Sequence, residues 1–149
     1  MNRHVISVSK FAAAWGATML LGALPVGLAA LVLDPSKPGQ AGALAVGAAV
    51  SGTVYTALFL GLAALTRHAV VIGLLFALLW EGVLGSVVAG VRWLSIGAWG
   101  REVSSAVSPL VDAAGTGVAY AVVAATLVTG VAVWFTGDRL RSFTLRGDE

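Results

Sequence analysis

The chain has 149 residues, 58% hydrophobic and 11% charged, with a mean hydropathy of +0.94. A soluble domain carries about 25% charged residues, so this composition excludes an ordinary water-soluble fold and points to the bilayer. The formal net charge of +2 forms no basic stripe, which excludes a nucleic-acid surface, and the lack of cysteine excludes disulfides, thiolate metal sites and cysteine nucleophiles.

A short lead with Arg3 and Lys10 precedes an apolar run over residues 11–33. Its 23 residues exceed the 7–15 of a secretory signal core, so it reads as an uncleaved membrane helix despite Pro25 and the small pair Ala29–Ala30. The stretch DPSKPGQ, residues 34–40, has two prolines and a glycine and predicts a tight extracytoplasmic turn. A second run covers 41–66. The very short Thr66–His68 hairpin, carrying Arg67, then makes the second and third runs antiparallel neighbours. The third run is 69–91, the fourth is 115–136, and a polar tail follows over 137–149. These runs approach or exceed the ~20 apolar residues that cross a ~30 Å hydrocarbon core. None alternates with period two, so barrel strands are excluded and helices remain. The expected fold is one all-α integral membrane domain over 1–149 with four transmembrane helices.

Basic residues orient it. With the amino terminus cytoplasmic, Arg3, Lys10, Arg67, Arg139, Arg141 and Arg146 fall inside, against Lys37, Arg92 and Arg101 outside. This asymmetry predicts that both termini are inside.

Between the third and fourth runs, Ile96, Trp99, Val103, Val107 and Leu110 recur at helical spacing, with Arg101, Glu102, Ser105, Ser108 and Asp112 opposite. The pattern predicts an external re-entrant or interfacial amphipathic helix within 92–112. Arg92 sits at its start, and Trp93 and Trp99 serve as headgroup-level anchors. A surface helix that merely links two spans fits the same pattern.

The third run holds one acid, Glu81, inside LLFALLWEGVLGS. An ionised side chain at the bilayer centre costs about 2.5–3.5 kcal/mol on insertion scales. The thirteen Leu, Ile, Phe and Val residues of 69–91 return about 5 kcal/mol on the same scale, so the run still inserts. Arg67 and Arg92, roughly 21 and 16 Å away along a helix, are too far to pair with it. Thr53, Tyr55, Thr126 and Thr18 lie nearest its depth. Three readings stand side by side: a hydrogen-bonded strut between helices, a group lining a substrate or proton route, or the marker of a helix break. The glycines that follow, Gly82, Gly85 and Gly90, favour the break. Trp80, Glu81, Gly82 and Gly85 are thus the candidate substrate-path or helix-break residues.

The order of Arg3 and Lys10 before a proline-containing span, the short basic hairpin, and the run LLFALLWEGVLGSVVAGVRWLSIGAW resemble the carboxyl-terminal part of ABC-2 type transporter permeases. The likeness extends from about Arg3 to Trp134, and WEG followed by RWLS carries it. It implies six spans with both termini cytoplasmic, in a dimer of permease chains paired with separate ATP-binding subunits in a bacterial cytoplasmic membrane. The four runs correspond to the family's third to sixth spans, so the chain reads as a truncated frame, a fragment or a divergent half. By this likeness Arg3, Lys10 and Arg67 face the ATP-binding subunit. Glu81 stands where a span gives way to an external hairpin, and Arg92–Val111 cover the outer mouth.

The chain has no phosphate loop of its own, so the energy for export comes from the partner. His4 and His68 lie at predicted helix ends, Ser51 and Ser86 have no base beside them, and no HExxH is present, which points away from an enzyme and from any metal or cofactor. The expected function is a membrane-spanning permease subunit of an ATP-driven exporter. The alternatives are a small structural or assembly membrane protein and a proton-coupled carrier using Glu81.

Overall fold

A chain this apolar must satisfy its backbone internally, and every regular element among the described residues is a helix. The computed structural model describes residues 3–84 and 88–142. Helix α1 (Arg3–Thr18) passes through a π-helical stretch (Met19–Ala23) into α2 (Leu24–Leu33), and α3 (Pro38–Leu65) returns. Helix α4 (Ala69–Phe76) passes into a second π-helical stretch (Ala77–Leu84). A 3-10 turn (Ala89–Leu94) leads to α5 (Ile96–Val107), and α6 (Val118–Ser142) completes the set.

The two helix-borne prolines have different effects. Inside a helix, proline lacks an N–H and its ring crowds the carbonyl four residues back. Ahead of Pro25 the turn is widened, with the Leu24 N–H donating to the Met19 carbonyl five residues back, so the helix runs on past the ring. Pro38 instead opens α3, where its missing N–H is one that the helix leaves unpaired anyway.

Three helices are long and apolar enough to cross a membrane: Val5–Leu33 with 29 residues, Pro38–Leu65 with 28 and Val118–Arg139 with 22. The third run departs from the expected continuous span over 69–91. Its described helix is Ala69–Leu84, eight α-helical and eight π-helical residues. At 1.5 Å per residue that is about 24 Å, short of a ~30 Å core. Large apolar side chains such as Leu21, Leu33, Val70, Leu78, Leu127 and Val131 point outward, as a surface bathed in acyl chains requires.

Helix α3 is the hub, touching α1, α2, α4, α5 and α6. Gly52 lies against Thr18 and Gly27 against Ala45, so the first helix runs antiparallel to α3. Val54 packs with Ala121 and Ala125, and Gly61 lies against Ala132, so α6 runs parallel to α3. The start of α1, the Thr66–His68 turn and the end of α6 therefore share one end of the bundle. The turn after Leu33 lies at the other.

Helix α5 is inserted into this bundle. Ser51 Oγ of α3 donates to the Ile96 carbonyl at 3.2 Å, while Gly47 meets Gly100 and Ser104, so α5 runs antiparallel to α3. A Cβ built on Gly47 would stand 2.6 Å from the Gly100 carbonyl oxygen, and one on Gly100 would stand 2.7 Å from the Gly47 carbonyl oxygen. Only glycine at both positions lets the two backbones touch. Ser51 is near the middle of α3, so α5 starts half-way along the bundle and runs back toward the end that holds the 34–37 turn. The buried core, Val54, Ile96, Trp99, Ala121 and Ala125, sits where α3, α5 and α6 meet.

This placement differs from the amphipathic helix anticipated over 92–112. Trp99 is 4% exposed and belongs to the core rather than to a headgroup layer. Glu102, Ser104 and Ser108, on or beside the expected polar face, are buried, while Val107 and Leu110 of the expected apolar face are exposed. The facing is set by the glycine contact with α3 and by the hydrogen bonds of Glu102, neither of which hydropathy records.

Candidate functional site

The site forms where the second π-helical stretch meets the start of α5. The first four N–H groups of a helix have no partner within it. In α5, Ser95 N–H donates to the Arg92 carbonyl at 3.3 Å and Ala98 N–H donates to Ser95 Oγ at 3.1 Å. The remaining two go to Glu81: Ile96 N–H donates to Oε1 at 2.6 Å, and Gly97 N–H lies between the two carboxylate oxygens at 3.0 and 3.3 Å. Ser95 Oγ also donates to Glu81 Oε2 at 2.8 Å. The Arg92 carbonyl, Glu81 and the Ser95 hydroxyl together close every orphan donor of this terminus. The Tyr55 side chain of α3 interacts with the same carboxylate.

Trp80 works from the opposite polarity. Its indole N–H donates to the Leu94 carbonyl at 3.3 Å, and its ring stacks on Phe76 with centroids 5.9 Å apart. The dipeptide Trp80–Glu81 therefore grips the 94–97 turn with one donor and one acceptor. This answers why an acid stands in the third apolar run. It holds the positive end of a half-length helix inside the bundle, where unpaired N–H groups would each cost about 1–3 kcal/mol.

A second carboxylate repeats the arrangement one helix later. Glu102 of α5, 6% exposed, accepts from Gly115 N–H at 2.8 Å, Thr116 N–H at 3.3 Å and Gly117 N–H at 3.1 Å. Gly115 and Gly117 have φ of +78° and +87°, a left-handed conformation that turns successive N–H groups to one side. Arg92 Nη1 donates to the Ala114 carbonyl at 3.2 Å beside this loop. The second π-helical stretch, α5 and α6 are thus joined in series, Glu81 capping the start of α5 and Glu102 holding the loop that leads into α6.

The other residues singled out in the sequence fall as follows. A Cβ on Gly82 would meet no atom within 4 Å, so packing does not demand glycine there. Gly97, not singled out, does need it: a Cβ would stand 2.8 Å from Glu81 Oε2. Trp93 is exposed, with its ring edge-on to Tyr120 and its carbonyl accepting from Trp99 Nε1 at 2.9 Å and Tyr120 Oη at 2.8 Å. Lys10 on α1 and Arg67 in the Thr66–His68 turn are exposed and share no hydrogen bond or ion pair among the described residues. Arg3 opens α1; its side chain and Gly85 lie outside the described residues.

Ser95 and Glu102 are the site residues that the sequence reading passed over. Ser95 carried a signal, because serine directly before a periodic apolar run is a helix N-cap. Glu102 carried a weaker one in the Gly-Thr-Gly stretch ahead of α6. Among the described residues no group of three or more His, Cys, Asp or Glu side chains is placed to hold a metal. No known family model, curated protein or solved structure matches this chain.

Proposed function

We propose that this chain is a membrane-spanning permease subunit of an ABC-2 type exporter, driven by a separate ATP-binding subunit, in a bacterial cytoplasmic membrane. One observation carries the reading. The third apolar run does not cross as a plain rod but hands over at Trp80–Glu81 to a helix that starts half-way along the bundle and turns back toward the face it came to. A hairpin at this place is what the WEG and RWLS segments imply by their likeness to such permeases, and its presence supports the reading. On this reading the short helix through α4 makes the third of four crossings, both termini are cytoplasmic, and α5 with the loop after it caps the outer mouth.

Force from the partner then enters at the shared end of the bundle, around Lys10 and Arg67, and moves α3 as a packed body. Because α3 touches every other helix, its displacement reaches α5 through the Gly47–Gly100 contact. Affinity purification of the tagged full chain after crosslinking and mild solubilisation tests this. The expected result is a stoichiometric nucleotide-binding polypeptide, lost when Arg67 is replaced by Glu; purified chain with no such polypeptide overturns the reading.

A further inference from the structure

We infer that Arg92 and Arg101 form a binding site for a phosphate ester group, entered from the end of the bundle that holds the 34–37 turn. The inference does not rest on the exporter reading; it needs only the hairpin as described.

The two arginines share a cleft. They line a cavity of about 260 Å³ with Glu81, Ser95 and Gly97, and another of about 490 Å³ with Gln40, Leu44 and Asp112 among its walls. Among the described residues neither guanidinium is ion-paired, although an acid lines each cavity. Glu81 has both oxygens committed to N–H and hydroxyl donors of the 95–97 turn. Arg92 spends one N–H on the Ala114 carbonyl, and Arg101 makes no hydrogen bond within the described residues. Most of the donors on the two forks therefore remain open toward the cleft.

Depth makes this informative. Gln40 and Leu44 lie two and six residues into α3, so the larger cavity is within about 10 Å of that helix's end. The smaller one reaches the level of Ser51, near mid-bundle. Arg92 and Arg101 are both exposed along this path, so their forks are open to an anion that arrives from that end. A planar guanidinium fork matches the oxygens of a phosphate, and two forks on one cleft match it better than a carboxylate. Exposed Trp93, Leu94, Val107 and Leu110 belong to the same hairpin and its flanks, an apolar setting in which acyl chains can lie. The chemistry recognised is the phosphate ester; a lipid headgroup and free phosphate both supply it.

Native mass spectrometry of the purified full chain in neutral detergent tests the site, with phosphatidylglycerol and diacylglycerol as lipid probes and inorganic phosphate as competitor. Arg101→Gln is the primary variant, since Arg101 supports no described contact that folding needs, and Arg101→Lys keeps the charge without the fork. The expected result is about tenfold weaker phosphatidylglycerol retention in Arg101→Gln, an intermediate loss in Arg101→Lys, and unchanged diacylglycerol retention. Displacement by inorganic phosphate, or binding of phosphate without lipid, supports the site and assigns free phosphate as its source. Equal phosphatidylglycerol retention by the wild type, Arg101→Gln and Arg92→Gln, with no phosphate binding by any of them, overturns the inference.

Discussion

Glu81 has two roles that need not conflict: it lowers the electrostatic cost of starting a helix in the bundle interior, and it fixes where that helix starts. Replacing it with Gln keeps an acceptor for Ile96 N–H but removes the charge and turns an amide donor toward Gly97 N–H and Ser95 Oγ. The expected loss is about 2 kcal/mol, read as a lowered midpoint in denaturant titration of the purified protein. Gly97→Ala is expected to lower the same midpoint, because its methyl would press on the carboxylate, whereas Gly82→Ala is expected to leave it unchanged. The acid itself was legible in the sequence, because a lone carboxylate in an apolar run is conspicuous. Its partners were legible only in part. Of Thr53, Tyr55, Thr126 and Thr18, the residues nearest in depth on other spans, Tyr55 does interact with the carboxylate, whereas the remaining donors are the Ser95 hydroxyl and the backbone N–H groups of Ile96 and Gly97, fourteen to sixteen residues further along the chain. Backbone donors have no residue type, so composition at a given depth cannot reveal them.

At the scale of the element, α5 shows hydropathy placing a helix and its inward Ile96, Trp99 and Val103 correctly while missing that Glu102 and Ser108 are buried and Val107 and Leu110 exposed. The spacing of Ile96, Trp99 and Val103 is helical, and a helix is found over Ile96–Val107. Its orientation, however, follows from Gly47 and Ser51 on α3 meeting Gly100 and Ser104 on α5, two small-residue pairs that a glycine- and alanine-rich chain hides among many others. Gly100→Val is therefore expected to separate α3 from α5 and to increase the exposure of Trp99, visible as a red shift of tryptophan emission. The loop before α6 offers a cleaner test of conformation alone. A Cβ on Gly117 would meet nothing within 4 Å, so Gly117→Ala carries only the left-handed backbone penalty, about 1–2 kcal/mol.

The turn after Leu33 titrates. Hydrogen bonds from Ser36 and then Lys37 hold the exposed Asp34 carboxyl below its ordinary value of 3.8. A depressed folded value means that this contribution is fully present above about pH 3.8 and is lost as pH falls through the folded value. Amide exchange at Ser36, whose N–H donates to Asp34, is expected to accelerate over that acid range and to be insensitive to pH titration of this kind in Asp34→Asn.

For the whole molecule, the all-helical membrane class was legible because it follows from bulk hydrophobicity and run length, which no tertiary detail can reverse. Three long apolar helices bear it out. The third run was legible as apolar and as a candidate for a break near Glu81, but the caps at Trp80, Glu81 and Ser95 that fix the short helix, the turn and the following half-length helix were not. The molecule is best described as three long helices, α3 central among them, into which a hairpin is locked by carboxylates in series, Glu81 holding the start of α5 and Glu102 the loop ahead of α6. Residue-resolved hydrogen exchange on the protein in detergent tests that lock most directly. Ile96 and Gly97 amides should exchange slowly in the wild type and far faster in Glu81→Ala, while amides of α3 keep their protection. Fast exchange at both residues in the wild type, or rates indifferent to the loss of Glu81, would contradict the account.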